Sequence, residues 1–268
     1  MGEHSTWFDY LPGLKNLEHA LSPHLARTEL AVATFPSSFS ITHVLSVILI
    51  VLFAIIGGLV FSNAVKQGKE ALIPPKTFGL RNLFELFAES VLGVAEGVMG
   101  AKNARRFLPL IGTLAFFIFF SNVLALIPGM APPTATLHTN AALALTVFVL
   151  THYLGVKEHG LSYFKHFLGP VWWLAPLMLP IEIISHLARP LSLSLRLLGN
   201  IFADHKVVFT FFSLVPLLIP IPFMILGVMV AVIQTLVFCL LTMVYIQGAV
   251  SHDHGDEDHH EHAEAHAH

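Results

Sequence analysis

One cysteine, Cys239, stands in a chain of 268 residues, so no internal disulfide can form. Charge is scarce too: Asp, Glu, Lys and Arg make up 12% of the residues, about half of what a soluble domain carries. Basic residues are not in excess. The formal net charge is −3 with histidines neutral, which speaks against a nucleic-acid partner. The N-terminus MGEHSTWFDY lacks the positive stretch of a cleaved signal peptide. No internal repeat is visible. What the chain has instead is apolar residue, 55% of the total, with a mean hydropathy of +0.73. Several runs reach the roughly 20 apolar residues that cross a bilayer. These features define an all-α, polytopic integral membrane protein.

Residues 1–38 read as a short extracytoplasmic segment. Apolar runs predict spans over about 41–61, 107–127 and 140–156. Between the first two lies a basic region with Lys66, Lys69, Lys76, Arg81, Lys102, Arg105 and Arg106. Within it, Leu80, Phe84, Phe87, Val91, Val94 and Val98 recur at helical spacing opposite Glu85, Glu89 and Glu96. That pattern predicts an amphipathic helix over 80–99 lying on the membrane surface. Basic residues mark the cytoplasmic side. They place the N-terminus outside, the 62–106 region inside, the Pro-rich 128–139 loop outside and Lys157–Lys165 inside. Trp172 and Trp173 suit an interfacial belt. Helical segments over 181–214 and 221–247 follow, split at VPLLIPIP. The acidic, His-rich tail 251–268 has the composition of a disordered, solvated segment.

The run SLSLRLLGNIFADHK, Ser192 to Lys206, sits in this apolar setting. At about 100° per residue, Glu182, Ser185, Arg189, Ser192 and Asn200 fall within about 40° of Arg196. Gly199 and Ala203 flank the same stripe, while the rest of the helix is mostly Leu, Ile, Phe and Val. An arginine at mid-membrane costs about 2.5–3.5 kcal/mol on insertion scales. Glu182 is about four turns away and Asp204 about 80° off axis, so neither is placed to neutralise it. The expected partner is therefore an anion from another chain or from an ion pathway, and the small residues beside Arg196 let a facing helix approach. His205 falls about 180° from Arg196, towards the last helix, where Gln234 and Gly227 share a face. The segment 181–214 is about 51 Å long at 1.5 Å per residue, against about 30 Å of hydrocarbon. Strong tilt accommodates it, with the last helix as the second arm of a slanted hairpin beside the upright spans.

Two other readings compete. An ion-coupled secondary transporter also uses intramembrane charge, but its halves repeat. A haem-binding subunit is suggested by His138 and His152, fourteen residues apart, yet His138 reads as part of the Pro-rich loop. No cofactor or resident metal is expected, although the His-rich tail contains residues of metal-binding type.

In SLSLRLLGNIFADH, the preceding PIEIISHLARP and the later IQTLVFCLLTMVYI, the chain resembles subunit a of the rotary F-type ATP synthase, over about residues 41–250. The resemblance implies a proton-conducting stator that works with a c-ring and the b subunits of a peripheral stalk. It implies a multi-pass protein of a bacterial inner membrane with a cytoplasmic C-terminus. It assigns Arg196 to the c-ring carboxylate contact. Glu182, Ser185, Arg189 and Ser192 match the cytoplasmic half-channel, and Asn200, His205 and Gln234 match positions around the arginine and the outer half-channel. The chain departs from the family pattern at Gly227 and Ala125, where many or some members carry a titratable residue.

Overall fold

In the computed structural model, the described residues are 41–65, 79–127, 130, 132–160, 163, 175–214 and 220–250. The side chains at 41, 64, 65, 175, 204, 205, 208, 209, 211–214, 220 and 221 lie outside this description. So do the N-terminal segment, Trp172, Trp173, the break at 215–219 and the His-rich tail.

The described chain forms helices and no strand. They are α1 (Ile41–Val65), α2 (Leu80–Ala125), α3 (Leu137–His159), α4 (Ala175–Leu214) and α5 (Pro220–Val250), with a 3-10 turn at Pro133–Ala135 before α3. A helix satisfies its own backbone polar groups, which apolar surroundings demand. Four of the five, α1, α2, α3 and α5, are long and apolar enough to cross a membrane. The fifth, α4, has 40 residues but carries the charged stripe. It continues through Pro180 and Pro190, so the expected boundary near 181 moves back to Ala175.

Within α2, Gly100 adopts φ 73° and ψ 158° and separates a helical stretch over 80–99 from one over 101–125. Only glycine takes that backbone at little cost, because a Cβ would press against the following carbonyl. The apolar pattern leaves 100–106 between two helices. Helix resumes there at once, and Arg106 reaches Glu158 of α3 at 2.8 Å.

Three contacts assemble the bundle. Along one, α2 packs on α5 through Ala95, Ala104, Ile111, Cys239, Met243 and Ile246. The alanines are fully buried and let the two helices close. At a second, Leu114 and Ile118 of α2, Ala144 and Val147 of α3, Leu193, Leu197 and Ile201 of α4 and Phe238 of α5 meet in one cluster. The third holds α1 against α2 by stacked and edge-on rings, Phe53 with Phe116 at 5.9 Å and with Phe120 at 5.1 Å. Leu and Ile side chains remain exposed along α1, α4 and α5, as surfaces that meet lipid or an apolar partner do.

Candidate functional site

Polar side chains gather at three levels along this bundle. Arg196 occupies the middle one, near the centre of α4, and is exposed. Around it Leu191, Leu195 and Phe202 are 59%, 46% and 56% exposed, so the guanidinium sits in an open apolar face. Ser185, Ser192, Gly199 and Ala203 open onto solvent-accessible surface as well. Arg196 makes no ion pair among the described residues. The Asp204 side chain is outside them.

The stripe straddles a border. Glu182, Arg189 and Asn200 are half-buried, Arg189 and Asn200 against α5. One turn beyond Arg196, Asn200 Nδ2 donates to Gln234 Oε1 of α5 at 2.6 Å. Gln234 is 3% exposed, and its Nε2 has no partner among the described residues. This bond joins two residues that periodicity placed on different surfaces of the hairpin. The backbone of His205 lies in α4, but its side chain falls outside the described residues. Gly227 sits at a close contact. A Cβ there would run into Leu126, just past the end of α2. Helix α5 has come in against that chain end, and the missing side chain is what lets it.

The level near the N-terminus of α3 was not foreseen as a site. Asn140, fully buried, donates Nδ2 to Thr134 O at 2.8 Å, and a ring nitrogen of His43 in α1 lies 3.2 Å from Pro132 O. Ser121 Oγ and Asn122 Oδ1 near the end of α2, with Thr134 Oγ1 and Asn140 Oδ1, are buried without a partner among the described residues. Buried polar atoms in that state ordinarily hold water. The signal in the sequence was the pair SN inside an apolar run, with TATLHTN after the prolines.

The opposite end carries the charges. Arg106 pairs with Glu158, Arg105 with Glu96 at 3.7 Å, and Asn103 Nδ2 donates to Gln247 Oε1 at 3.1 Å. Closer to Arg196, a crevice is lined by His152 and Thr151 of α3, His186 and Arg189 of α4 and Tyr245 of α5. The Arg189 guanidinium lies 5.1 Å from the centre of the Tyr245 ring. Glu182 Oε1 is 3.4 Å from His186 Nε2. Burial pushes the nearby Tyr163 hydroxyl above its usual value of 10.0, against the pull of Arg189, so it stays a neutral donor. No group of three ligands for a metal ion exists among the described residues. His138, expected in the Pro-rich loop, is in the first turn of α3, because the 3-10 turn brings the chain into helix from Leu137. It lies on the same helix as His152.

Helical and apolar-faced, with an exposed arginine near the centre of α4, this is an all-α polytopic membrane protein. Residues 33–247 match the family model described as ATP synthase A chain. An ATP synthase subunit a from Sorangium cellulosum is 44% identical over 92% of this chain and 96% of its own length. ATP synthase subunit a 1 of Syntrophotalea carbinolica is 63% identical over 66% of this chain and 75% of its own. ATP synthase subunit a of Geobacter sulfurreducens is 51% identical over 66% and 76%. The chain belongs to the ATP synthase A chain family.

Proposed function

We propose that this chain is the proton-conducting stator subunit of an F-type ATP synthase, and that Arg196 is the fixed charge facing the carboxylates of a rotating c-ring. The observation that carries this is the exposed Arg196 in an open apolar face, with no ion pair among the described residues. A cation so placed needs an anion from outside the chain. Family membership and the matched site residues support the same reading.

The three polar levels supply the rest. Ser121, Asn122, Thr134 and Asn140 form the outer half-channel, continued towards Arg196 by Gln234 and Asn200, with His205 as a titratable station. Glu182, Ser185, Arg189 and Ser192 line the inner half-channel. A ring carboxylate takes a proton from the outer path and turns away through lipid as the neutral acid. It returns and releases the proton to the inner path beside Arg196, whose charge favours the carboxylate form. The same charge repels a proton moving straight between the paths. Arginine suits the position because it stays charged where lysine would lose its proton.

The orientation follows from charge. Lys102, Arg105, Arg106 and Lys157 lie at the end proposed as cytoplasmic, which leaves the N-terminus outside and the C-terminus inside. At 1.5 Å per residue the 40 residues of α4 extend about 60 Å, twice the hydrocarbon thickness, so α4 and α5 run strongly tilted. The helical stretch over 80–99 turns back at Gly100 beside 101–125, with the Phe84 and Phe116 rings 5.2 Å apart, rather than lying flat on the cytoplasmic surface.

Purification of the tagged chain in mild detergent tests this directly. A c-ring and stalk b subunits are expected with it, and Ser251→Cys on a Cys239→Ser background is expected to react from the cytoplasmic side. A chain that purifies without a ring, or labels only from outside, contradicts the proposal.

A further inference from the structure

His152 and His186 are 34 residues apart in sequence, yet their rings meet at 5.1 Å between centroids and 72° between planes. The packing of α3 on α4 brings them together. His186 is 14% exposed at its side chain, and its Nε2 lies 3.4 Å from Glu182 Oε1. A carboxylate accepts, so Nε2 carries the hydrogen, and the neutral ring keeps its lone pair on Nδ1. His152 Nδ1 lies 2.8 Å from Phe148 O. A carbonyl also accepts, so Nδ1 donates there and Nε2 is the basic nitrogen. The crevice between them has about 20 Å³ of room for water, enough for one molecule. Arg189 and Tyr245 face the same crevice, and Tyr163 stands edge-on to His152 at 6.0 Å. No other titratable side chain lines it among the described residues.

We propose that His186, with His152 beside it and Glu182 below it, is a proton relay in the inner half-channel, a role not given to either histidine by the arginine stripe. This rests on the half-channel reading above. A proton released near Arg196 reaches His186 Nδ1 through water in the crevice. The imidazolium gives its Nε2 proton to the Glu182 carboxylate, which becomes the acid and passes it to the aqueous phase. One proton enters and one leaves. The neutral ring resets by turning about its Cβ–Cγ bond, which exchanges the sides of Nδ1–H and the bare Nε2 so that no proton moves back, with His152 Nε2 as the neighbouring acceptor for the next proton. With two imidazoles in contact and Arg189 at the same crevice, the pair holds one proton at a time. Arg189, held over Tyr245, is the fixed charge that keeps the second proton out.

The test uses inverted membrane vesicles carrying the assembled complex, stripped of the catalytic sector, with proton conduction driven by an imposed potassium potential. The bath is then the cytoplasmic face. The wild type is expected to change rate with bath pH across roughly pH 5 to 8, where imidazoles titrate. His186→Gln keeps a donor towards Glu182 but does not titrate. It is expected to conduct about tenfold more slowly, as if one pH unit of proton supply were lost, and to flatten the pH profile. His152→Gln, on the other helix, should flatten the same profile, and the double variant should be no slower than His186→Gln alone. A His186→Gln complex with wild-type rate and profile overturns the relay. If that variant does not assemble, His152→Gln decides, and a wild-type profile there overturns it equally. ATP-driven pumping by Arg196→Ala in unstripped vesicles separates the two layers. Normal pumping there refutes the stator reading, whereas loss of pumping beside an unaltered His186→Gln profile refutes only the relay.

Discussion

Arg196→Ala is expected to abolish ATP-driven proton pumping in membranes that still contain the assembled complex. The side chain is exposed, so its removal opens no cavity and should leave the bundle intact. What is lost is electrostatic. Opposite charges about 4 Å apart interact by about 4 kcal/mol at an effective dielectric of 20. That is about a thousandfold in the equilibrium between the carboxylate and its acid. Without it the returning ring acid keeps its proton, and nothing bars direct leakage between the paths. Arg189→Ala removes a cation of the same size that is stacked over Tyr245, away from the open face. Its effect is expected to be several times smaller. Fluorescence quenching in inverted vesicles, normalised to assembled complex, measures both. Equal losses at the two positions would mean that position on the stripe does not matter.

The second large effect is on assembly of the fold. Ala104 is fully buried where α2 meets α5, among Phe107, Ile246 and Val250. An indole has no space there, and overpacking a close contact costs about 1–3 kcal/mol or more. Ala104→Trp is expected to wedge the two helices apart and leave little protein in the membrane, while Ala104→Ser accumulates normally. The quantity to follow is membrane-bound protein by immunoblot, together with the temperature of aggregation in detergent. Wild-type accumulation of the tryptophan variant would show that α2 and α5 do not pack this closely.

Both effects depend on geometry that the sequence disclosed unevenly. Apolar runs are their own signal, so α1, α3 and α5 were legible almost to their ends. The charged stretch 101–106 read as a connection because its partners are remote, Glu158 for Arg106 and Gln247 for Asn103. Pro180 suggested a helix start, yet α4 begins a turn and a half earlier, with Pro176 in its first turn, where proline is tolerated. Periodicity put the charged stripe on one side of α4. It does not say which edge of a stripe meets a neighbour, and only the packing of α3 and α5 turns Glu182, Arg189 and Asn200 inward while Ser192 and Arg196 stay open. Glu182 and His186 were readable as an i,i+4 pair. His152 was not, because nothing in α3 announces the helix that will cover it. The buried set Ser121, Asn122, Thr134 and Asn140 was hidden similarly, since single small polar residues in apolar runs are common and gain meaning only when three elements bring them together.

The central claim is that the Arg196 face of α4 lies against the ring carboxylates, and proximity tests it most directly. Gly199→Cys, on the same face and with nothing within 4 Å of the added Cβ, is combined with Cys239→Ser. The ring subunit carries a single cysteine one helical turn from its carboxylate. Mild oxidation in native membranes is predicted to give a disulfide-linked product of the two chains, lost on reduction. A control at Leu145→Cys, exposed on α3, should give none. A cross-link from position 145 and none from 199 would place the ring against a different surface and contradict the account.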